Sequence, residues 1–397
     1  MVTLLEILLC GAAFLVLLPA TVLFAEVVSA VTGSRDTATP QSERRRLAVL
    51  VPAHNEASVI AATLRSIVQQ LEEADRLIVV ADNCSDETAA IAATEGAEVI
   101  ARTDLNKRGK GYALDFGIRH LESDPPSIVV VIDADCQITE ASIDKLVRCC
   151  AWTARPVQAL YLMRAAKGAG LKARIAEFAW VVKNQVRPMG LNRLGLPCQL
   201  MGTGMAFPWA CICSARLATG HIVEDLKLGI DLARAGTPPV FCAAAVVTSD
   251  FPVSREGIRG QRERWEHGHL GVILSETPRL LRDSLASLNV YLMALALDLS
   301  VPPLALLALL VVLVWLASVV FCAVTTAHLP LNMTSAAAIL LALSVLMCWA
   351  RYGRPIISLG SLGLAMVYAL WKVPLYVRFL GARQLRWVRS KRDEDGQ

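Results

Sequence analysis

The sequence predicts an α/β unit, a mostly parallel sheet covered by helices, set between transmembrane helices at both ends of the chain. Three observations lead there. Of the 397 residues 55% are hydrophobic, and the mean hydropathy is +0.49, more apolar surface than a soluble domain needs. The excess sits in two blocks, residues 3–28 and most of 285–377. Between them charge and apolar residues mix normally, and apolar runs alternate with amphipathic ones in the rhythm of strands and helices.

The first block is long enough to cross a hydrocarbon core of roughly 30 Å, which takes about 20 helical residues. A cleaved signal peptide is the alternative. Against it, the region before the apolar run carries Glu6 and neither lysine nor arginine, and the run exceeds the usual length of about 7 to 15 residues. Arg44, Arg45 and Arg46 follow, so the positive-inside rule puts the central unit in the cytoplasm. The expected division is a span at 1–28, a solvated linker at 29–46, a central unit in two halves at 47–150 and 151–280, a membrane region at 281–378 and a basic tail at 379–397. Segments 302–324, 333–350 and 356–377 are span candidates, with 285–301 a borderline fourth. A cytoplasmic basic tail requires an even number of crossings after residue 280. Four is the preferred number; the alternative lays one weak segment in the interface.

The eleven cysteines occur singly and as often in apolar runs as elsewhere, without CxxC or Cys/His ligand spacing. Unpaired thiols in a reducing compartment are the simple reading. The net charge of +4 makes no nucleic-acid patch, because the basic residues gather beside the spans without interleaved aromatics.

Within the central unit, "LAVLVPAHNEA" predicts a strand ending at Pro52 and a helix from about Ala57. "RLIVVADNCSDETAAIAATEGA" gives a strand, a turn and a helix with Thr88, Ile91 and Ala92 on one face, stopped by Gly96. "EVIAR", "GKGYALDFGIRHL" and "SIVVVIDADCQIT" give strand, helix and strand. Strands apolar throughout and alternating with helices argue for a parallel sheet buried on both faces, whose ligands lie at the strands' carboxyl ends. The polar residues fall at those ends: Asn55 and Glu56, Asp82 to Asp86, Asp133 and Asp135.

Each motif has a bland reading beside its chemical one. An Asp-x-Asp at a strand end is usually a turn or cap, but two close carboxylates also suit a hard divalent ion shared with substrate phosphates. Lys107, Arg108 and Lys110 lie among glycines before a helix, which suits phosphate contact or merely a solvated basic turn. Glu224 and Asp225 open a helix with Leu226, Ile230 and Ala233 on one face and Gly236 as its stop; first-turn acids commonly just complement the helix dipole. Gln261, Arg264 and Trp265, at i, i+3 and i+4, share a helix face on which an amide, a guanidinium and an indole can hold phosphate and stack a sugar. His267 and His269, two apart, point to opposite faces and read as structural or acceptor-lining. "GLKARIAEFAWVVKNQVRPMGLNRL" is amphipathic, with Ile175, Phe178, Ala179 and Val182 on one side, for core packing or the membrane interface.

The ordered set "VPAHNEA", "VVADNCSDET", "NKRGKGYAL", "DAD", "GTG", "ED" and "QRERW", over residues 47–275, closely resembles the membrane-integrated inverting glycosyltransferases of family 2. Cellulose, chitin and hyaluronan synthases belong to that group, with ceramide glucosyltransferases as relatives. The resemblance implies a GT-A-type fold with the nucleotide-sugar-binding half at 47–150 and the acceptor-binding half at 151–280, a nucleotide-sugar donor that is a UDP-sugar by the family pattern, and Mg2+ or Mn2+ as cofactor. By matching position it implies that Asp82 contacts the base, with Glu56, Lys110, Asp133 and Arg264 also on the donor side. Asp135, helped by Asp133, would hold the ion; Asp225, beside Glu224, would be the general base. Gly202, Thr203, Gly204, Gln261 and Trp265 would line the acceptor. One departure is that Ala81-Asp82-Asn83-Cys84 stands where many members have Asp-Asp-Gly-Ser, leaving one acid for the base. The leading expectation is extension of a polysaccharide at the cytoplasmic face of a bacterial cell membrane, with a possible partner subunit for export. The alternative is a single transfer to a ceramide- or isoprenoid-type lipid.

Overall fold

The computed structural model describes residues 2–33, 42–252 and 254–381. The part of the expected linker at 34–41 and the expected basic tail from residue 382 onward lie outside the described residues. The chain forms two compact units: residues 42–166 with 196–268, and residues 2–33, 167–195 and 269–381.

The first unit is an eight-stranded mixed sheet covered by helices. Along the chain it contains β1 (Leu47–Ala53), α2 (Ile60–Val68, numbered after α1, Val2–Thr32, of the other unit), β2 (Arg76–Asp82), α3 (Thr88–Thr94), β3 (Glu98–Arg102), α4 (Lys110–Leu121), β4 (Ile128–Val131), β5 (Gln137–Ile138), α5 (Ser142–Thr153) and β6 (Val157–Arg164). After the second unit's α6 (Leu171–Val181), a π-helical turn (Val182–Val186) and α7 (Arg187–Arg193), it resumes with β7 (Met205–Pro208), α8 (Trp209–Ile212), α9 (Glu224–Arg234), β8 (Val240–Asp250) and the start of α10 (Arg255–Ser287).

The strand order is β3-β2-β1-β4-β7-β6-β8-β5. The first four strands are parallel, as the unbroken apolar runs of β1, β2 and β4 predict, and every residue of β1 is buried. Beyond them β7 pairs antiparallel with both β4 and β6, β6 runs parallel to β8, and β5 pairs antiparallel with β8. The core on one face joins Leu50, Ile78 and Val80 of the sheet to Leu114, Ile118 and Leu121 of α4. Helix α2 starts at Ile60, three residues after the expected Ala57. The reason is local: the Glu56 N–H donates to Thr88 Oγ1 and the Ala57 N–H to Asp86 Oδ2, and Asn55 adopts φ 55°, so the chain turns here before it coils.

The second unit is helical. Besides α1, α6 and α7 it contains the end of α10, α11 (Val290–Ser300), α12 (Leu304–Thr325), α13 (Leu329–Cys348), a second π-helical turn (Trp349–Gly353), α14 (Leu359–Gly363), α15 (Ala365–Trp371) and α16 (Val373–Gly381). Among the described residues, four helical stretches are long and apolar enough to cross a membrane: Val2–Thr32, Leu304–Thr325, Leu329–Gly353 and Leu359–Phe379. The expected crossing at 285–301 is corrected. That segment forms an 11-residue helix, α11, which at about 1.5 Å per residue is too short for a hydrocarbon core of roughly 30 Å. Residues 167–195 and 269–280, assigned from sequence to the acceptor half, fall in this helical unit. The apolar side of α6 explains the former: Ile175, Phe178 and Val181 are buried, and Phe178 lies so close to Gly353 that any side chain there would meet its ring.

Candidate active site

At the carboxyl end of β4 the chain continues straight for one residue, the Ile132 N–H donating to the Leu50 carbonyl. It then turns, and the Cys136 N–H bonds the Asp133 carbonyl at 3.1 Å to close Asp133-Ala134-Asp135-Cys136. One carboxylate oxygen from each of Asp133 and Asp135 and the Cys136 sulfur lie within 4.8 Å of one another.

The loop 201–204 is held against this turn. The Asp133 N–H donates to Thr203 Oγ1 at 3.0 Å, and Thr203 is completely buried. Gln158, on β6, clamps the loop with both ends of its amide: Nε2 donates to the Thr203 carbonyl and Oε1 accepts from the Met201 N–H. Gly202 and Gly204 have φ of 91° and 65°, left-handed values that ordinary side chains resist. Space is a second constraint, since a β-carbon on Gly202 would sit 3.3 Å from Asp225 Oδ2 and 3.7 Å from Lys110 Nζ.

Lys110, the first residue of α4, donates to the Gly202 carbonyl at 2.6 Å and pairs with Asp133. Glu224 and Asp225, in the first turn of α9, complete the group. Lys110, Glu224, Asp225, Arg216 and Thr219 line a small, shallow cleft open to solvent. Burial pushes the Glu224 carboxyl up to about 7; Asp225 adds to the rise and Lys110 opposes it. Burial also raises Asp133, Lys110 opposes, and the Asp135 charge adds to the rise. For Lys110 burial works against the ammonium, but Asp133, Glu224 and Asp225 outweigh it and hold the charge well above the usual range. This concentration of acids around one ammonium suits a cation, and two carboxylates with room for substrate phosphates are a donor set that fits Mg2+ or Mn2+.

A second group forms two strands away, about 10 Å by sheet spacing, at the ends of β1 and β2. Asp82 is buried and accepts from Arg102 Nη1 at 2.6 Å and from Asn83 Nδ2 at 3.0 Å. His54 Nδ1 meets the Asp82 carbonyl at 2.7 Å, a structural role. Glu56 lies in the neighbouring turn with Asn55, Ser85 and Thr88. Gln261, Arg264 and Trp265 lie on α10, half-buried and at helical spacing on one face.

The structure therefore brings Lys110, Asp133, Asp135, Gly202, Thr203, Glu224 and Asp225 together, groups Glu56 with Asp82, and sets Gln261, Arg264 and Trp265 on a separate helix. Three participants escaped the sequence reading. Arg102 is the register partner of Asp82 on β3, a contact made by strand pairing. Gln158 carried a signal, an amide inside the apolar strand "VQALYLM", and Cys136 carried another, a thiol directly after the second aspartate.

Residues 44–268 match the family described as "Glycosyltransferase like family 2". Among curated proteins, the chain is 28% identical over 259 residues to the "Probable glycosyltransferase YdaM" of Bacillus subtilis (strain 168), covering 58% of this chain and 57% of that protein. It is 34% identical over 102 residues to the 4,4'-diaponeurosporenoate glycosyltransferase of Staphylococcus aureus (strain N315), covering 25% of this chain and 26% of that one. In both cases the chain spans less than two thirds of the relative's length. Among solved structures, it is similar to the mannosyltransferase PcManGT from Pyrobaculum calidifontis in complex with GDP-Man and Mn2+, with a TM-score of 0.57 and 17% identity over 97% of this chain and 100% of that one. At that identity the likeness is one of fold.

Proposed function

Since the chain belongs to the glycosyltransferase-like family 2, we propose that it is a metal-dependent inverting transferase moving a sugar from a nucleotide donor to an acceptor held at the membrane. One observation carries this reading: Asp133, Glu224 and Asp225 converge on Lys110 and the Gly202 backbone at the rim of the sheet, with Asp135 beside Asp133. A divalent ion on Asp133 and Asp135 supplies charge neutralisation for the departing diphosphate. Lys110 adds a fixed ammonium beside it, and Arg264 is the guanidinium assigned to the same oxygens. Asp82 and Glu56 take the nucleotide side.

Asp225 is the base that accepts the acceptor hydroxyl's proton as that oxygen attacks the anomeric carbon, in a transition state with oxocarbenium character. Glu224, held near neutrality by burial, spares the site a second full negative charge beside it. Gly202 leaves the space in front of Asp225 open, and Thr203, Gln261 and Trp265 frame the acceptor.

For the acceptor we favour a single lipid over a growing polysaccharide. The four apolar stretches among the described residues, the last broken at Leu364 and Lys372, offer few walls for a glycan channel. The staphylococcal relative's name makes 4,4'-diaponeurosporenoate its substrate, a single small acceptor and not a polymer. The polysaccharide reading rests on Gln261, Arg264 and Trp265 and needs an exporting partner subunit. We place the catalytic unit at the cytoplasmic face of a bacterial cell membrane, on the evidence of Arg44, Arg45 and Arg46. A tail on that side requires Leu359–Phe379 to lie in the interface, where its stacked Tyr368 and Trp371, with Lys172 4.1 Å over the Trp371 ring, are at home.

The test is incubation of the purified full-length protein with labelled UDP- and GDP-sugars, Mn2+ or Mg2+ and extracted membrane lipid. A single labelled glycolipid supports the reading; a long water-soluble polymer overturns the lipid acceptor. Asp225→Asn is expected to keep nucleotide binding and lose about 10² to 10⁴-fold in transfer. Asp135→Ala is expected to lose metal-dependent nucleotide binding as well.

A further inference from the structure

The turn that presents Asp133 and Asp135 ends in a thiol. The Cys136 sulfur lies 3.5 Å from Asp135 Oδ1, toward which it donates, and belongs to the set of three donor atoms within 4.8 Å of one another. Metal bonds run about 2.0–2.2 Å to carboxylate oxygen and about 2.3 Å to thiolate sulfur, so two donors across one ion sit roughly 4.5 Å apart. The three atoms are therefore within a small side-chain rotation of a ligand set. Their exposures differ in an ordered way: both carboxylates are only partly buried, while the sulfur is completely buried. The carboxylates lie on the side that solvent reaches, and the sulfur lies on the buried side. Behind it the Tyr161 hydroxyl is already bonded to Ser249 Oγ at 2.8 Å.

We propose that Cys136 is a third protein ligand of the ion, making an O2S site that prefers thiophilic ions such as Co2+, Zn2+ and Cd2+, and Mn2+ over Mg2+. This rests on the reading that Asp133 and Asp135 hold the ion. Sulfur is a soft donor and magnesium a hard acceptor with little gain from it, whereas the later ions gain a partly covalent bond. On binding, the S–H bond breaks, the sulfur–metal bond forms, and the proton leaves to solvent.

Cobalt is the probe, because a cobalt–thiolate bond produces an intense near-ultraviolet charge-transfer absorption that carboxylates do not. The full-length protein with a nucleoside diphosphate and Co2+ is expected to show that band, and Cys136→Ser to bind Co2+ without it. By calorimetry, the ratio of Cd2+ to Mg2+ affinity is expected to fall at least tenfold in Cys136→Ser, with Mg2+ affinity little changed. Cys136→Ala serves as a second variant should the serine hydroxyl disturb the buried site, and thermal melting checks that each is folded. Cobalt bound with no band in the parent protein, or with a band that survives both substitutions, overturns the third ligand and leaves the carboxylate site standing. Failure to bind Co2+, Mn2+ or Mg2+ at all overturns both.

Discussion

Glu224 is the residue whose environment differs most from that of an ordinary acid at a helix start. Its carboxyl, usually at 4.5, is held at about 7 by burial and by Asp225. The folded protein thus binds a proton there that the unfolded chain releases, so this group's contribution to stability is complete below about pH 4.5 and fades as pH rises through about 7. In buffer without divalent ions the thermal midpoint should fall between pH 5 and pH 8, and Glu224→Gln should flatten that slope; an unchanged slope refutes the assignment. The acids of the site were legible because each interrupts an apolar run at a strand or helix end. Arg102 was not, since its link to Asp82 exists only once β2 and β3 have chosen their register, with Asp82 opposite Arg102. The sequence shows an arginine, and only pairing shows its partner.

At the scale of elements, β1 to β4 with α3, α4 and α9 followed from unbroken apolar runs and glycine stops. The second half of the sheet did not. Strands β5 and β7 have two and four residues and owe their place to neighbours already formed, which no local period announces. The amphipathic segment at 171–193 was legible as a helix but not as an interrupted one. Its π-helical turn rotates the buried side, so that Val181, Val182, Asn184 and Val186 are all covered, whereas regular spacing gave Ala179. Helix α7 then meets α1 at Gly190, where a β-carbon would overlap the Glu26 carbonyl oxygen. Gly190→Ala is therefore expected to destabilise the protein by about 1–3 kcal/mol, as overpacking does, and to lower the melting temperature of the detergent-solubilised protein. A midpoint equal to that of the parent would show that α1 and α7 can part without cost.

For the whole molecule, the decisive fact is that its helical unit is assembled from three separated stretches of chain. Outward-facing side chains such as Leu15, 73% exposed, and Val324, 79% exposed, give it an apolar surface suited to lipid. Inside, Arg187 of α7 joins Glu26 of α1, Nε to Oε2 at 2.8 Å, and Asp298 of α11, Nη2 to Oδ1 at 2.5 Å, with all three side chains buried. Arg187→Met should cost about 3–5 kcal/mol, because two carboxylates are left buried without their cation. Adding Glu26→Gln and Asp298→Asn to the same chain should restore most of the melting temperature; failure to do so would place the loss in packing instead. The spacing of this triad also matters during synthesis. Arg187 follows Glu26 by 161 residues and precedes Asp298 by 111. At about 5–20 residues per second, the first helix waits roughly 8–32 s on the ribosome's time for its cation, and the cation waits again for its second acid. A nascent chain halted short of α11 holds only the Glu26–Arg187 pair, with the second guanidinium nitrogen still lacking its carboxylate, so the buried network closes only once synthesis has passed Asp298.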